Sequence, residues 1–128
     1  MYKKEIKRDR IRKIPRQFSW IDQRFIRERY ISLCYTESIA LYMFLIIVGD
    51  AKGLSYYSDK AIIEMLSINK IELEKARSKL IEIDLLAYKK PIYQVLEIPN
   101  KNKILNFKEN RGGILSVKEI LKEIGGKL

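Results

Sequence analysis

Within the first sixteen residues, Lys3, Lys4, Lys7, Arg8, Arg10, Arg12, Lys13 and Arg16 face only Glu5 and Asp9, a net charge of +6. Cations at that density suit one chemistry above others: pairing with the phosphates of a polyanion, where each contact releases condensed counterions. The same run also reads as a solvated, disordered terminus. A membrane-surface helix using Ile6, Ile11 and Ile14 fits least, because their spacing is irregular and the stripe is thin. Bond-making chemistry has few parts to use. The chain has no histidine, which excludes Ser-His-Asp and Cys-His machinery, HExxH sites and histidine-bound zinc. The single Cys34 can neither close an intrachain disulfide nor supply a four-cysteine metal site, and it suits a reducing compartment. Glu5-Ile6-Lys7 is a poor match to the clustered acids of a metal-dependent nuclease. No enzyme activity, metal or cofactor is expected.

The excess charge sits at the two ends. The 128 residues carry 26 basic and 16 acidic side chains, with +1 over residues 17–35, −1 over 36–100 and +4 over 101–128. A hydrophobic share of 47% is enough for one core, and the length suits one domain. The longest apolar run, Ile39–Val48, is too short to span a bilayer. No apolar stretch with a cleavage site follows the charged start, so a cytoplasmic protein with no membrane partner is expected.

Periodicity and capping residues predict the elements. Ser19-Trp20-Ile21-Asp22 has capping-box spacing and predicts a helix over 19–33 that buries Ile21, Phe25, Ile26, Tyr30 and Leu33. Thr36 and Glu37 start a second helix, apolar on all sides from Ile39 to Val48 and therefore the centre of the fold, which Gly49 and Gly53 end. Leu54–Tyr57 suits a short strand. Ser58 and Asp59 cap a helix with Ile62, Met65 and Leu66 as its apolar positions. After Ser67-Ile68, Asn69 and Glu72 form a second capping box. It opens a helix running to about Ile83, with Leu73, Ala76 and Leu80 on one face. Asp84 takes a left-handed position, and strands Leu85–Tyr88 and Ile92–Ile98 flank Lys89-Lys90-Pro91. Beyond Pro99, Ser116-Val117-Lys118-Glu119 opens a short amphipathic helix carrying Val117, Ile120, Leu121 and Ile124.

From Thr36 to Ile98, this order resembles the winged helix-turn-helix superfamily. The likeness is carried by Tyr57-Ser58-Asp59-Lys60-Ala61-Ile62-Ile63-Glu64-Met65-Leu66-Ser67-Ile68-Asn69 and by the run from Lys79 through Asp84 to Lys90. Asp84 departs from the glycine common there, and the hairpin tip is short. Within the superfamily the chain looks most like small bacterial helix-turn-helix proteins of plasmid, phage or mobile-element replication. The resemblance implies an α+β, mainly helical fold: a basic arm (1–17), a winged helix-turn-helix domain with an extra N-terminal helix (18–99), then a linker and C-terminal helix (100–128). It also implies double-stranded DNA as the partner, bound in transcriptional regulation or replication initiation near the nucleoid.

Helical geometry predicts the outward face of the helix after Asn69 independently. With Leu73, Ala76 and Leu80 inward, Ile71, Glu74, Lys75, Ser78 and Glu82 point outward, flanked by Lys70, Arg77 and Lys79. Lys75 can reach a phosphate or a guanine edge, Ser78 any base, Glu74 the cytosine amine and Ile71 a thymine methyl. Lys89 and Lys90 would touch the backbone from the hairpin, or simply protect a sheet edge. On this reading, replacing Lys75 and Arg77 with glutamate should weaken binding without unfolding the domain.

Other classes compete. Glu72, Glu74 and Glu82 oppose phosphates and favour a protein-interaction module in a replication or partition complex. The stripe over 116–124 is suited to a homodimer or a replication-protein partner. An RNA- or ribosome-associated protein would carry similar charge.

Overall fold

Ten consecutive apolar residues ending at Val48 must be covered, and the architecture follows from how they are. The computed structural model describes residues 1–100, and residues 101–128, with the helix expected over 116–124, lie outside the described residues. In chain order come α1 (Arg24–Arg27), α2 (Thr36–Val48), β1 (Leu54–Tyr56), α3 (Asp59–Leu66), α4 (Lys70–Glu82), β2 (Leu86–Lys89) and β3 (Ile92–Val95). Single 3-10 turns lie at Arg8–Arg10 and Tyr30–Leu33. The described residues are thus α+β and mainly helical, with one antiparallel sheet in the order β1-β3-β2. That layout is compatible with the order expected from sequence.

The core lies between α2 and α4. Leu41 and Leu45 of α2 and Leu73, Ala76 and Leu80 of α4 are fully buried, and Ile62, Leu85, Leu86 and Tyr93 close the interior from α3 and the hairpin. Each of the leucine and isoleucine side chains contributes roughly 1.5–3 kcal/mol of burial, offset by the entropy of ordering it. α2 is not covered all round, however. Met43 and Ile47 are exposed, because α4 and the Phe25–Tyr42 ring contact (4.7 Å between centroids) cover only part of its circumference. Thr36 is the first helical residue rather than the cap: Tyr35 holds the cap position with no side-chain hydrogen bond.

The helix expected over 19–33 does not form as one piece. The Asp22 carboxylate accepts the backbone N–H of Arg24 at 2.9 Å and binds its guanidinium at 2.7 Å, so the turn starts after Asp22. Arg29 then adopts a left-handed φ of 62° and breaks the helical path before the 3-10 turn. Phe25 and Tyr30 are buried as expected, whereas Ile21, Ile26 and Leu33 are exposed.

Local signals around α3 and α4 carry through more fully. Ser58 Oγ accepts from the N–H of Ala61 at 3.1 Å. Ile62 is fully buried and Leu66 packs on the core as expected, whereas Met65 is exposed and Ile63 packs there in its place. The capping box is complete: Asn69 Oδ1 accepts from Glu72 N–H at 2.8 Å, and Glu72 Oε1 accepts from Asn69 N–H at 3.0 Å. β3 stops at Val95, three residues short of expectation. Gly53 meets it there with φ 82°, its carbonyl accepting from Val95 N–H at 2.9 Å. A side chain at Gly53 would place Cβ 2.5 Å from the Val95 carbonyl oxygen, so only glycine fits.

Asp84 joins α4 to β2 with φ 63°, the left-handed position expected of it. It is only 3% exposed, and Oδ1 is buried without a hydrogen-bond partner among the described residues. Burial pushes its pKa up to about 6 from the ordinary 3.8. The unfolded chain therefore ionises this group first, and its contribution to stability falls as pH rises from about 4 through 6. The substitution Asp84→Asn keeps the left-handed preference and removes the charge. The variant should be more stable than the wild type by about 1–3 kcal/mol at pH 7.5 and nearly equal to it at pH 4, read by denaturant unfolding at both pH values.

Candidate nucleic-acid interface

α4 presents the face that helical geometry predicts. Lys70, Ile71, Glu74, Lys75 and Ser78 are exposed, with Ile71 at 69% of its full accessibility. Two of the three acids near this face are engaged locally. Glu72 completes the capping box, and Glu82 holds Lys79 at 3.2 Å. Glu74 remains as the acid without an ion pair among the described residues.

Arg77 does not belong to this surface. Its side chain is 13% exposed, and Nη1 donates to Asp59 Oδ1 at 2.9 Å and to the Tyr93 hydroxyl at 2.8 Å. The guanidinium also lies 4.4 Å from the Tyr88 ring centroid, and Tyr88 stacks on Tyr93 at 4.4 Å. One cation thus ties α4 to α3 and to both hairpin strands. Helical projection alone places Arg77 at the edge of the outward face, because the wheel cannot show that Asp59 and the tyrosines lie on that side. Replacing it with glutamate would put a second carboxylate against Asp59, so the Lys75/Arg77 double substitution expected to spare the fold would instead strain it.

Tyr35 is the residue that sequence reasoning missed. Its ring is exposed at the start of α2 and lies beneath two ammonium groups, Lys75 Nζ at 5.3 Å and Lys79 Nζ at 5.2 Å. Tyr35, Ile71, Lys75, Ser78 and Lys79 line a shallow groove of about 270 Å³ along α4 together with two acids, Glu74 and Glu82. Nothing in the local periodicity marks Tyr35. Its role depends on α4, far later in the chain, being packed beside it.

Lys89 and Lys90 are exposed at the hairpin tip, next to the cis Lys90–Pro91 bond. In the arm, Lys3, Lys4, Lys7, Arg8, Arg10, Arg12, Lys13 and Arg16 are all exposed, and none pairs with an acid among the described residues. Tyr56 is exposed, whereas Tyr57 packs edge-on to Phe44 at 5.1 Å. Cys34 is half-buried; its thiol donates to the Tyr30 carbonyl at 3.6 Å, and burial raises its pKa. Among the described residues no group of three acidic, cysteine or histidine side chains could hold a metal ion, and no helix is long and apolar enough to cross a membrane.

Comparison with protein-family models, with curated proteins and with solved structures finds no match to this chain.

The two cations on either side of α4 should separate cleanly. Arg77→Ala leaves Asp59 and the Tyr93 hydroxyl without their partner and should cost about 2–4 kcal/mol in urea unfolding, whereas Lys75→Ala should stay within about 0.5 kcal/mol of wild type.

Proposed function

We propose that residues 18–99 form a winged helix-turn-helix module that binds double-stranded DNA without catalysing a reaction. α4 enters the major groove, and the arm of residues 1–17 lies along the flanking phosphates. The observation that carries this reading is α4 itself. It is a thirteen-residue helix with a complete N-terminal capping box, packed on the core through Leu73, Ala76 and Leu80 and bare along Ile71, Lys75 and Ser78. A helix held in that way can enter the groove without reorganising, which is how helix-turn-helix proteins read base edges.

The charge supports the same assignment. The eight cations of the arm have no internal partner among the described residues, so phosphates meet no competitor there. Lys89 and Lys90 add positive charge at the hairpin, and Lys75 and Lys79 add it beside Tyr35. A role in transcriptional regulation or replication initiation accords with the resemblance carried by residues 57–69 and 79–90. A second reading, a protein-interaction module, draws on Glu74, which has no ion pair among the described residues and stands beside the exposed Ile71 on the same face. An apolar side chain rimmed by one acid suits a basic partner surface better than a phosphate.

Binding to a mixed-sequence duplex, measured by fluorescence anisotropy across salt, distinguishes these readings. With about six phosphates engaged, affinity should fall roughly 10³-fold between about 50 and 200 mM salt. Deleting residues 1–16 should lower the affinity and flatten that slope. Lys75→Glu should weaken binding further at every salt concentration. A wild-type chain that binds no duplex at low salt would end the reading.

A further inference from the structure

At the opposite end of α2 from Tyr35 lies a second cavity of about 500 Å³ that DNA binding leaves unused. It is lined by Tyr42 and Leu45 of α2, by Val95 and Leu96 where β3 ends, and by Phe18 and Trp20. The Ser19 hydroxyl donates to the Ile47 carbonyl at 3.3 Å, tying the Phe18–Trp20 stretch to the last turn of α2. Both rings nonetheless remain bare, Phe18 at 64% and Trp20 at 76% exposed, and Ile47 is exposed beside them. Two uncovered aromatic side chains beside an apolar cleft form a surface that a partner is expected to cover.

Of the charged groups that line the cleft, Asp22 and Asp50 are already engaged, and Lys52 and Glu97, of opposite sign, line it as well. Asp22 already holds the Arg24 guanidinium at 2.7 Å, and Asp50 accepts the N–H groups of Lys52 and Leu54, each at 2.9 Å. Beside these groups the cleft offers apolar area from Phe18, Trp20, Leu45, Val95 and Leu96. The chain itself supplies a candidate occupant close by. Ile98 also lines the cleft, and 28 residues follow Asn100. Among them the sequence places Val117, Ile120, Leu121 and Ile124 at helical spacing on one face. A helix of that length does not hold in water without a surface to pack on. Only sixteen residues separate Asn100 from Val117, a tether short enough to hold the stripe near the cleft at roughly millimolar effective concentration.

We propose that this cleft seats the apolar stripe of residues 116–124 of the same chain. Phe18 and Trp20 close over Val117, Ile120, Leu121 and Ile124, and the arm's root is fixed by the tail. Trp20 is the only tryptophan, so its fluorescence reports on this cleft alone. In the full chain, Leu121→Asp with Ile124→Asp should shift Trp20 emission to the red and make it more easily quenched by acrylamide. Neither position belongs to the core of residues 18–99, so cooperative unfolding of that core should persist, while far-ultraviolet helicity falls by the share that the undocked stripe loses. Lys122→Asp, which adds the same type of charge off the stripe, should leave emission unchanged. Identical Trp20 emission and quenching in the wild type and the double variant would overturn the proposal. So would protection of Trp20 that grows with protein concentration, since the occupant would then be the tail of a second copy.

Discussion

A guanidinium taken out of water must find its partners inside the fold, and Arg77 finds three. Asp59 supplies charge, the Tyr93 hydroxyl accepts a hydrogen bond, and Tyr88 offers a ring face. These partners come from α3 and both hairpin strands, so the interaction sets where α3, α4 and the hairpin lie relative to one another. Hydrophobic burial through Leu73, Ala76 and Leu80 attaches α4 to the core but is tolerant of small rotations. The directional contacts of Arg77 are not tolerant in that way. The apolar stripe decides which side of α4 is outermost, and the contacts of Arg77 limit how far the helix can turn from that setting.

Much of this arrangement was legible in the sequence because it is local. The Asn69–Glu72 box, the Ser58 cap and the left-handed Asp84 each depend on residues within a few positions of one another, and each forms as expected. The inward face of α4 was legible for the same reason, since a 3.6-residue period is local geometry. What failed was either competitive or long-range. Ser19 had capping-box spacing, but its hydroxyl donates to the Ile47 carbonyl, twenty-eight residues away, and the helix starts later, after an Asp22 turn and with Gln23 at the cap position. Met65 sits at an apolar position of α3 that no neighbouring element covers, while Ile63 is covered.

The candidate site divides along the same line. Ile71, Lys75 and Ser78 were legible from the wheel, whereas Arg77 and Tyr35 were not. A wheel assigns direction from one helix alone; the fate of a flanking side chain depends on what its neighbours offer. Arg77 met an acid and two tyrosines and turned inward. Lys75 and Lys79, on the other flank, lie over the Tyr35 ring and keep contact with solvent. The sum of charges on α4 therefore overstates how much positive potential its exposed face presents. The arm, whose cations find no such partners among the described residues, contributes more than the helix.

α4 is bounded by two residues with left-handed backbone, Ser67 at φ 56° and Asp84 at φ 63°, and neither is glycine. Glycine at such joints would relieve a modest steric penalty and would also let the backbone swing through many angles. Serine and aspartate forgo that freedom. The joints act as fixed brackets rather than swivels, so the angle at which this rod meets another molecule is set during folding. On the proposed function, adaptation to an imperfect duplex would then fall to the duplex, which can bend, or to the long side chains at the rod's surface.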